Sequence, residues 1–306
     1  MDPSWAPPFD VRVISMQPEA SAAIRSVFPG VRVVAATDLR GADPRVLDEG
    51  GVITDEVFET ITHGRKYHLE ISTCGGVGLW ASVVAALGQG RQPLLLLEED
   101  CIPSPELPSV VRRLLAAAEQ AAAEPAAVAA VAAVAAEPAA AASTAETAAE
   151  GGAFDLAVFG PIRVDALLHA RASAHSGFGW CDSYFWGTHA VLYSIVGRTR
   201  ARAMLRGAVD VQLDAKLSRL AVYGPPGDRA ARLRVLLQRP GGRDLARQAD
   251  HQSAIQAGDC AICDMRPQGD APPRGEPAEG PRGVFGVIGG AALFIARIPI
   301  QLFTRR

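Results

Sequence analysis

The chain has 306 residues, 49% hydrophobic and 21% charged, with a net charge of −3. At ~100–200 residues per domain this suits one large α/β domain or two small ones, and the lack of a basic run argues against a nucleic-acid partner. Five cysteines, Cys74, Cys101, Cys181, Cys260 and Cys263, are odd in number and widely scattered, which argues against a disulfide framework.

The opening MDPSWAPPFDVRVISM carries neither a basic n-region nor a long apolar stretch, so no secretory signal is expected and the protein is read as facing the cytosol. VRVISM, residues 11–16, alternates like a first strand, residues 18–27 suit a short helix, and VRVVAA, residues 31–36, suits a second strand. Strand, helix and strand in so short a stretch open a parallel, nucleotide-binding type of sheet. Asp38 follows at the carboxyl end, where it either meets a ribose or base or caps the next turn.

Residues 47–63 read as a loop containing the helix DEVFETIT, capped by Thr54. A longer helix is expected over residues 71–87. Gly75, Gly76 and Gly78 lie in its first half. Glycine inside a helix costs ~1 kcal/mol against alanine. The three therefore imply a close approach of backbone or ligand, or a helix that starts later, near Val77.

PLLLLEEDC, residues 93–101, is the stretch on which the rest depends. Four consecutive leucines suit a strand covered on both faces. Glu98, Glu99 and Asp100 then place three carboxylates at its carboxyl end, where open α/β sheets collect ligands. Alternation along a strand turns Glu98 and Asp100 one way and Glu99 the other. Two readings stand: a solvated acidic loop, or a site for a hard divalent cation such as Mg²⁺ or Mn²⁺.

A helix begins at residue 107 and runs into the alanine-rich block 116–150, which Pro125 and Pro138 are expected to break into short pieces. With little bulky apolar surface, the block reads as an inserted, partly helical spacer. A strand follows at FDLAVF, residues 154–159. HSGFGWCDSYFWGTHAVLYS, residues 175–194, then gathers two Trp, two Tyr, two Phe and two His, a composition that suits a stacking wall for a sugar or base, or core packing. A strand at residues 190–193 and a helix over 196–205 come next. Asp210 and Asp214 stand four apart. If a helix begins at Asp210, Asp210 either caps it or acts as a base. Residues 235–237 suit a last strand, and Cys260-x-x-Cys263, with no second pair, reads as incidental rather than as a zinc or redox site. The stretch 268–283 is a Pro/Gly linker. The tail 284–306, apolar and then basic, is too short and too interrupted for a span of ~20 apolar residues; it reads as a membrane-surface or docking segment, or equally as a helix buried against the domain.

Several of these pieces stand in a known order. DVRVISM, GLWASV before PLLLLEEDC, FWGTHAVLYS, and AVDVQLDAKL with QSAI resemble, in order and spacing, glycosyltransferase family 25, the lipopolysaccharide and procollagen galactosyltransferase-like enzymes. The resemblance implies a GT-A-like α/β fold, with a mixed, mainly parallel sheet flanked by helices and the alanine-rich block as an insertion. It spans residues 10–256 of an expected catalytic domain 1–267. It further implies inverting transfer of a hexose, chiefly galactose, from a UDP-sugar to a glycan, lipid-linked or protein hydroxyl, at the cytoplasmic face. On this reading Glu98, Glu99 and Asp100 hold Mn²⁺ or Mg²⁺ on the donor diphosphate. Asp210, with Asp214 next, is the catalytic base, and Asp38, Trp186, Thr188 and His189 line the donor site. There are departures. Gly75-Gly76 stands where the family carries Ser-His, and the acidic triplet is Glu-Glu-Asp where Glu-Asp-Asp is commoner.

Overall fold

Leu94–Leu97 are buried, each 4% exposed or less. The computed structural model describes residues 8–64, 70–132, 153–161, 163–164, 173, 175–239 and 244–249, all within one unit, Met1–Cys260. Strand β1 (Asp10–Ser15) leads through α1 (Ala22–Val27) to β2 (Arg32–Ala35). Helices α2 (Pro44–Glu49), α3 (Asp55–His63) and α4 (Cys74–Leu87) precede β3 (Leu94–Glu98) and β4 (Cys101–Pro103). Helix α5 (Leu107–Ala132), β5 (Leu156–Val158), β6 (Arg163–Val164), β7 (Phe178–Trp180), β8 (Phe185–Trp186) and β9 (Ala190–Tyr193) follow. Helices α6 (Ile195–Met204) and α7 (Leu213–Val222), with β10 (Val235–Gln238) and β11 (Ala246–Gln248), complete the described chain.

Seven strands form one mixed sheet in the order β2-β1-β3-β9-β5-β10-β7. β2, β1 and β3 pair in parallel, as do β5 and β10, while β9 runs antiparallel to both β3 and β5, and β7 antiparallel to β10. The fold is α/β with a mixed sheet flanked by helices, as expected, but within the sheet three pairings are parallel and three antiparallel, rather than mainly parallel. The leucine run is explained by its two neighbours. Leu94 and Leu96 pack with α4, α6 and α7 on one face. Leu95 and Leu97 pack with α1 and α5 on the other. A strand enclosed on both sides needs apolar side chains at every position, so the usual alternation vanishes.

One glycine of α4, Gly78, also finds its reason. The helix starts at Cys74, capped by Thr73, so all three glycines fall inside it. A Cβ at Gly78 would stand 2.2 Å from the Thr37 carbonyl oxygen. There the chain leaving β2 lies directly on the helix, pinned by Ser82, whose hydroxyl accepts from Thr37 N at 2.7 Å and donates to Gly78 O at 2.7 Å. Alanine, normally the better helix former, is therefore expected to cost ~2 kcal/mol at this position through overpacking. Urea unfolding of Gly78→Ala checks it: a lower midpoint is expected, and an unchanged or higher one contradicts the close approach.

Four expectations need correction. α5 is one helix that continues through Pro125, so that proline does not break it; the flanking alanines, the strongest helix formers, offset a residue that costs ~3 kcal/mol in a helix interior. Residues 44–49 form α2, initiated by the Asp43 side chain accepting from Arg45 N at 2.9 Å, so the loop expected from residue 47 begins in a helix. No helix begins at Asp210. α7 starts at Leu213, and Asp210 instead accepts from Lys216 Nζ at 2.7 Å. Lastly, residues 235–238 are not the last strand, because β11 follows and pairs antiparallel with β4.

The later part of the alanine-rich block (133–150), residues 250–267 with Cys260 and Cys263, the linker 268–283 and the tail 284–306 lie outside the described residues. Among the described residues no helix is long and apolar enough to cross a membrane.

Candidate functional site

Parallel pairing brings the carboxyl ends of β1, β2 and β3 to one edge of the sheet. β9 enters the sheet from that same edge, and Glu98 N donates to His189 O at 2.9 Å. The acidic triplet and the Gly-Thr-His segment are thereby brought side by side, though far apart in sequence.

Each carboxylate of the triplet has its own anchor. Glu98, buried, accepts from the Thr188 hydroxyl at 2.9 Å through Oε1. Glu99 turns to β1, its Oε2 accepting from Ser15 Oγ at 3.0 Å and Met16 N at 2.9 Å. Asp100, also buried, accepts from Gln248 Nε2 at 2.8 Å, and its carbonyl accepts from Ala249 N at 2.8 Å. Short β11 thus holds the Asp100 end of the triplet.

The electrostatics single out Glu98. Burial pushes its carboxyl up to about 8, and the charges of Asp100, Asp214 and Glu99 push the same way, with only the Thr188 hydrogen bond opposing them. β3 ends at Glu98, so Glu99 and Asp100 lie in the turn that follows it and the strand alternation expected from the sequence does not extend to them. Asp214 belongs to the first turn of α7. Its Oδ2 accepts from Gly187 N at 3.3 Å and its Oδ1 from Ala215 N at 2.8 Å. Enclosure by protein raises its carboxyl to about 6, against these two bonds. The four carboxylates therefore share one field. Among the described residues, however, no three His, Cys, Asp or Glu side chains stand close enough together to hold a metal ion by themselves.

His189 is 2% exposed, and burial lowers its imidazole to about 4, so the ring is neutral at physiological pH. The Ala246 carbonyl offsets this slightly, without hydrogen-bond geometry to either ring nitrogen. Gly160 sits between them. Its φ is +57°, and a Cβ there would fall 1.7 Å from Ala246 O and 3.3 Å from His189 Nε2.

No protein-family model and no curated protein matches the chain.

Of the remaining residues expected at the site, Trp186 belongs to β8, paired with Arg163 of β6, and is half-buried. Asp38 closes its own turn, accepting from Arg40 N at 3.1 Å, Nε at 2.9 Å and Nη2 at 2.8 Å. This is the turn-capping reading of the two offered by the sequence, and the Arg40 guanidinium holds the exposed carboxyl down at about 2. Asp210 is engaged by Lys216 at 2.7 Å, whereas the charge of Asp214 acts on Glu98. Sequence reasoning missed Ser15, Gln248 and Gly187. Ser15 was open to discovery, because the last residue of a parallel strand faces its neighbour's carboxyl end. Gln248 carries no such signal, since β11 is three residues long.

Proposed function

We propose that the chain is a metal-dependent glycosyltransferase on a GT-A-like fold, resembling family 25. It moves a hexose, chiefly galactose, from a UDP-sugar to a glycan, lipid-linked or protein hydroxyl with inversion. The observation that carries this reading is the mutual electrostatic influence of Glu98, Asp100 and Asp214 at the carboxyl end of β3 in a mixed sheet.

A divalent cation suits these residues. Every charge acting on buried Glu98 is negative, and the donors are carboxylate oxygens, which hard ions prefer. Mg²⁺-type ions commonly use only one or two protein carboxylates, completed by substrate phosphates and water, so a cage of three protein ligands is not required. Glu98 and Asp100 would hold the ion, with Glu99 steadied against β1. When bound, it supplies Lewis-acid neutralisation of the departing diphosphate.

The protein's own share is positioning and proton transfer. Asp214 takes the base role in preference to Asp210: the acceptor O–H bond breaks, its proton passes to an Asp214 oxygen, and the hydroxyl oxygen attacks the anomeric carbon as the bond to UDP breaks. Gly187 N and Ala215 N orient the Asp214 carboxylate. A folded value near 6 leaves it ionised at neutral pH yet basic enough to accept a proton. Thr188 fixes Glu98, while neutral His189 and Trp186 form the sugar-facing side. Expected result: turnover falls as pH drops through about 6 in the wild type, and Asp214→Asn lowers it by a factor on the order of 10²–10⁴ and removes that limb. A pH–rate profile measures both, and an Asp214→Asn enzyme with the wild-type profile contradicts the assignment.

One observation favours a second reading, a nucleotide- or glycan-binding module without turnover. Gly75 and Gly76, in the first turn of α4, offer no side chain where the family carries Ser-His. Donor binding with no transfer to any acceptor would select it.

A further inference from the structure

At the opposite edge of the sheet a cleft of about 200 Å³ opens between β7, the end of α7 and the segment entering β10. Cys181 N donates to Val235 O at 2.8 Å and joins the exit of β7 to the start of β10. β10 ends at Gln238, whose Oε1 accepts from Gly160 N at 2.8 Å near His189, so the length of this strand, ~10 Å, separates the cleft from that edge.

The cleft has two characters. Leu233 and Val235 give it a buried apolar floor, and Trp180 forms one wall. Arg229, Arg232 and Arg234 line it against a single carboxylate, Asp182. The Arg234 guanidinium lies over the Trp180 ring, 5.2 Å from its centroid. Arg229 and Arg232 are exposed, and neither guanidinium has a hydrogen-bond or ion-pair partner among the described residues. The neighbouring Asp228 does not neutralise them through a direct bond; its Oδ1 accepts from Ala231 N at 3.1 Å.

The turn that carries these arginines is held from within. Buried Asp155 accepts from Arg200 Nη1 and, at 2.8 Å, from Arg234 N. Arg200 Nη2 donates to the carbonyls of Ala231 at 2.7 Å and Arg232 at 2.8 Å. Leu233 N donates to Leu220 O at 2.9 Å, fixing the turn to α7. The backbone polar groups are thus used inward, while two guanidinium forks stand outward beside an aromatic face. Such forks match the oxygens of phosphate and carboxylate, and an indole face receives a ring or apolar body.

We propose that this cleft binds a small organic anion, its phosphate or carboxylate head at Arg229 and Arg232 and its ring or apolar body against Trp180 and Leu233. The site is independent of the donor site, and its occupancy does not require a divalent cation.

Isothermal titration of the intact chain in chelator with phenyl phosphate, benzoate and neutral phenol tests it. One equivalent of phenyl phosphate or benzoate binds saturably, salt weakens it, and phenol binds at least about tenfold more weakly. Tighter phenyl phosphate identifies a phosphate head, and tighter benzoate a carboxylate head. Arg229→Ala with Arg232→Ala reduces affinity at least about tenfold with an unchanged Tm, since both side chains are exposed. Should that double variant unfold, Arg232→Glu alone is expected to weaken binding and Arg232→Lys to restore most of it. Trp180→Leu weakens phenyl phosphate while leaving inorganic phosphate unaffected. No saturable binding of either anion, or binding that the arginine variants leave intact, overturns the proposal.

Discussion

Glu98→Ala combined with Asp100→Ala is expected to lower transfer from UDP-galactose or UDP-glucose in Mn²⁺ by at least about a thousandfold, the scale of ~4 kcal/mol of lost transition-state stabilisation. The reasoning starts from position. Both carboxylates are buried at the carboxyl end of β3, which lies between parallel β1 and antiparallel β9, and open α/β sheets collect ligands at such strand ends. Alanine removes the charge and also strands two donors, the Thr188 hydroxyl and the Gln248 amide. Glu98→Gln with Asp100→Asn separates the two effects. An amide oxygen still accepts from Thr188 and from Gln248, so the fold is retained while the capacity to hold a cation is lost. Both pairs should be inactive, and the amide pair should unfold near the wild-type midpoint. Activity that survives in either pair, or in chelator, rules out the metal role.

The second large effect is on stability against pH. In the folded chain Glu98 keeps its proton up to about 8, against an ordinary 4.5. The folded state therefore binds the extra proton between those values, and stability falls as pH rises through them. Asp214 acts in the same sense between 3.8 and about 6. His189 acts oppositely: its folded value of about 4 against 6.5 means stability increases as pH climbs through that interval. Below about pH 6.5 the three partly cancel, and above it only Glu98 remains of them. In chelator, Tm should drop by several degrees between about pH 6.5 and 8.5. Glu98→Gln should flatten that decline. Mn²⁺ should raise Tm more at the higher pH, because cation binding requires the deprotonated carboxylate. A wild-type Tm that is level across this interval in chelator contradicts the buried charge on which the site depends.

Much of the site was legible because its parts obey local rules. The leucine run announced a strand covered on both faces, Thr54 announced the start of α3, and the glycines of α4 announced a close approach that proved, at Gly78, to be the Thr37 backbone. The position of the acidic triplet followed from the end of its strand. What the sequence left out was long-range. Nothing local says that β9 inserts antiparallel between β3 and β5, yet that insertion delivers Thr188 and His189 to Glu98. Nothing local says that three-residue β11 returns to β4 and steadies Asp100. A helix starting at Asp210 was expected to carry both Asp210 and Asp214 on one side of its first turn. With α7 beginning at Leu213, Asp214 takes the first-turn position and meets Gly187, while Asp210 is engaged by Lys216. Pro125 shows the limit of a single-residue rule, since a long run of alanines outweighed it.

The most direct measurement is calorimetric titration of UDP-galactose into the intact chain at about pH 8, with Mn²⁺ and with chelator. Saturable binding in Mn²⁺ that vanishes in chelator and in Glu98→Gln/Asp100→Asn is the predicted result. Equal affinity with and without the ion, or no binding of any UDP-sugar under either condition, would contradict it.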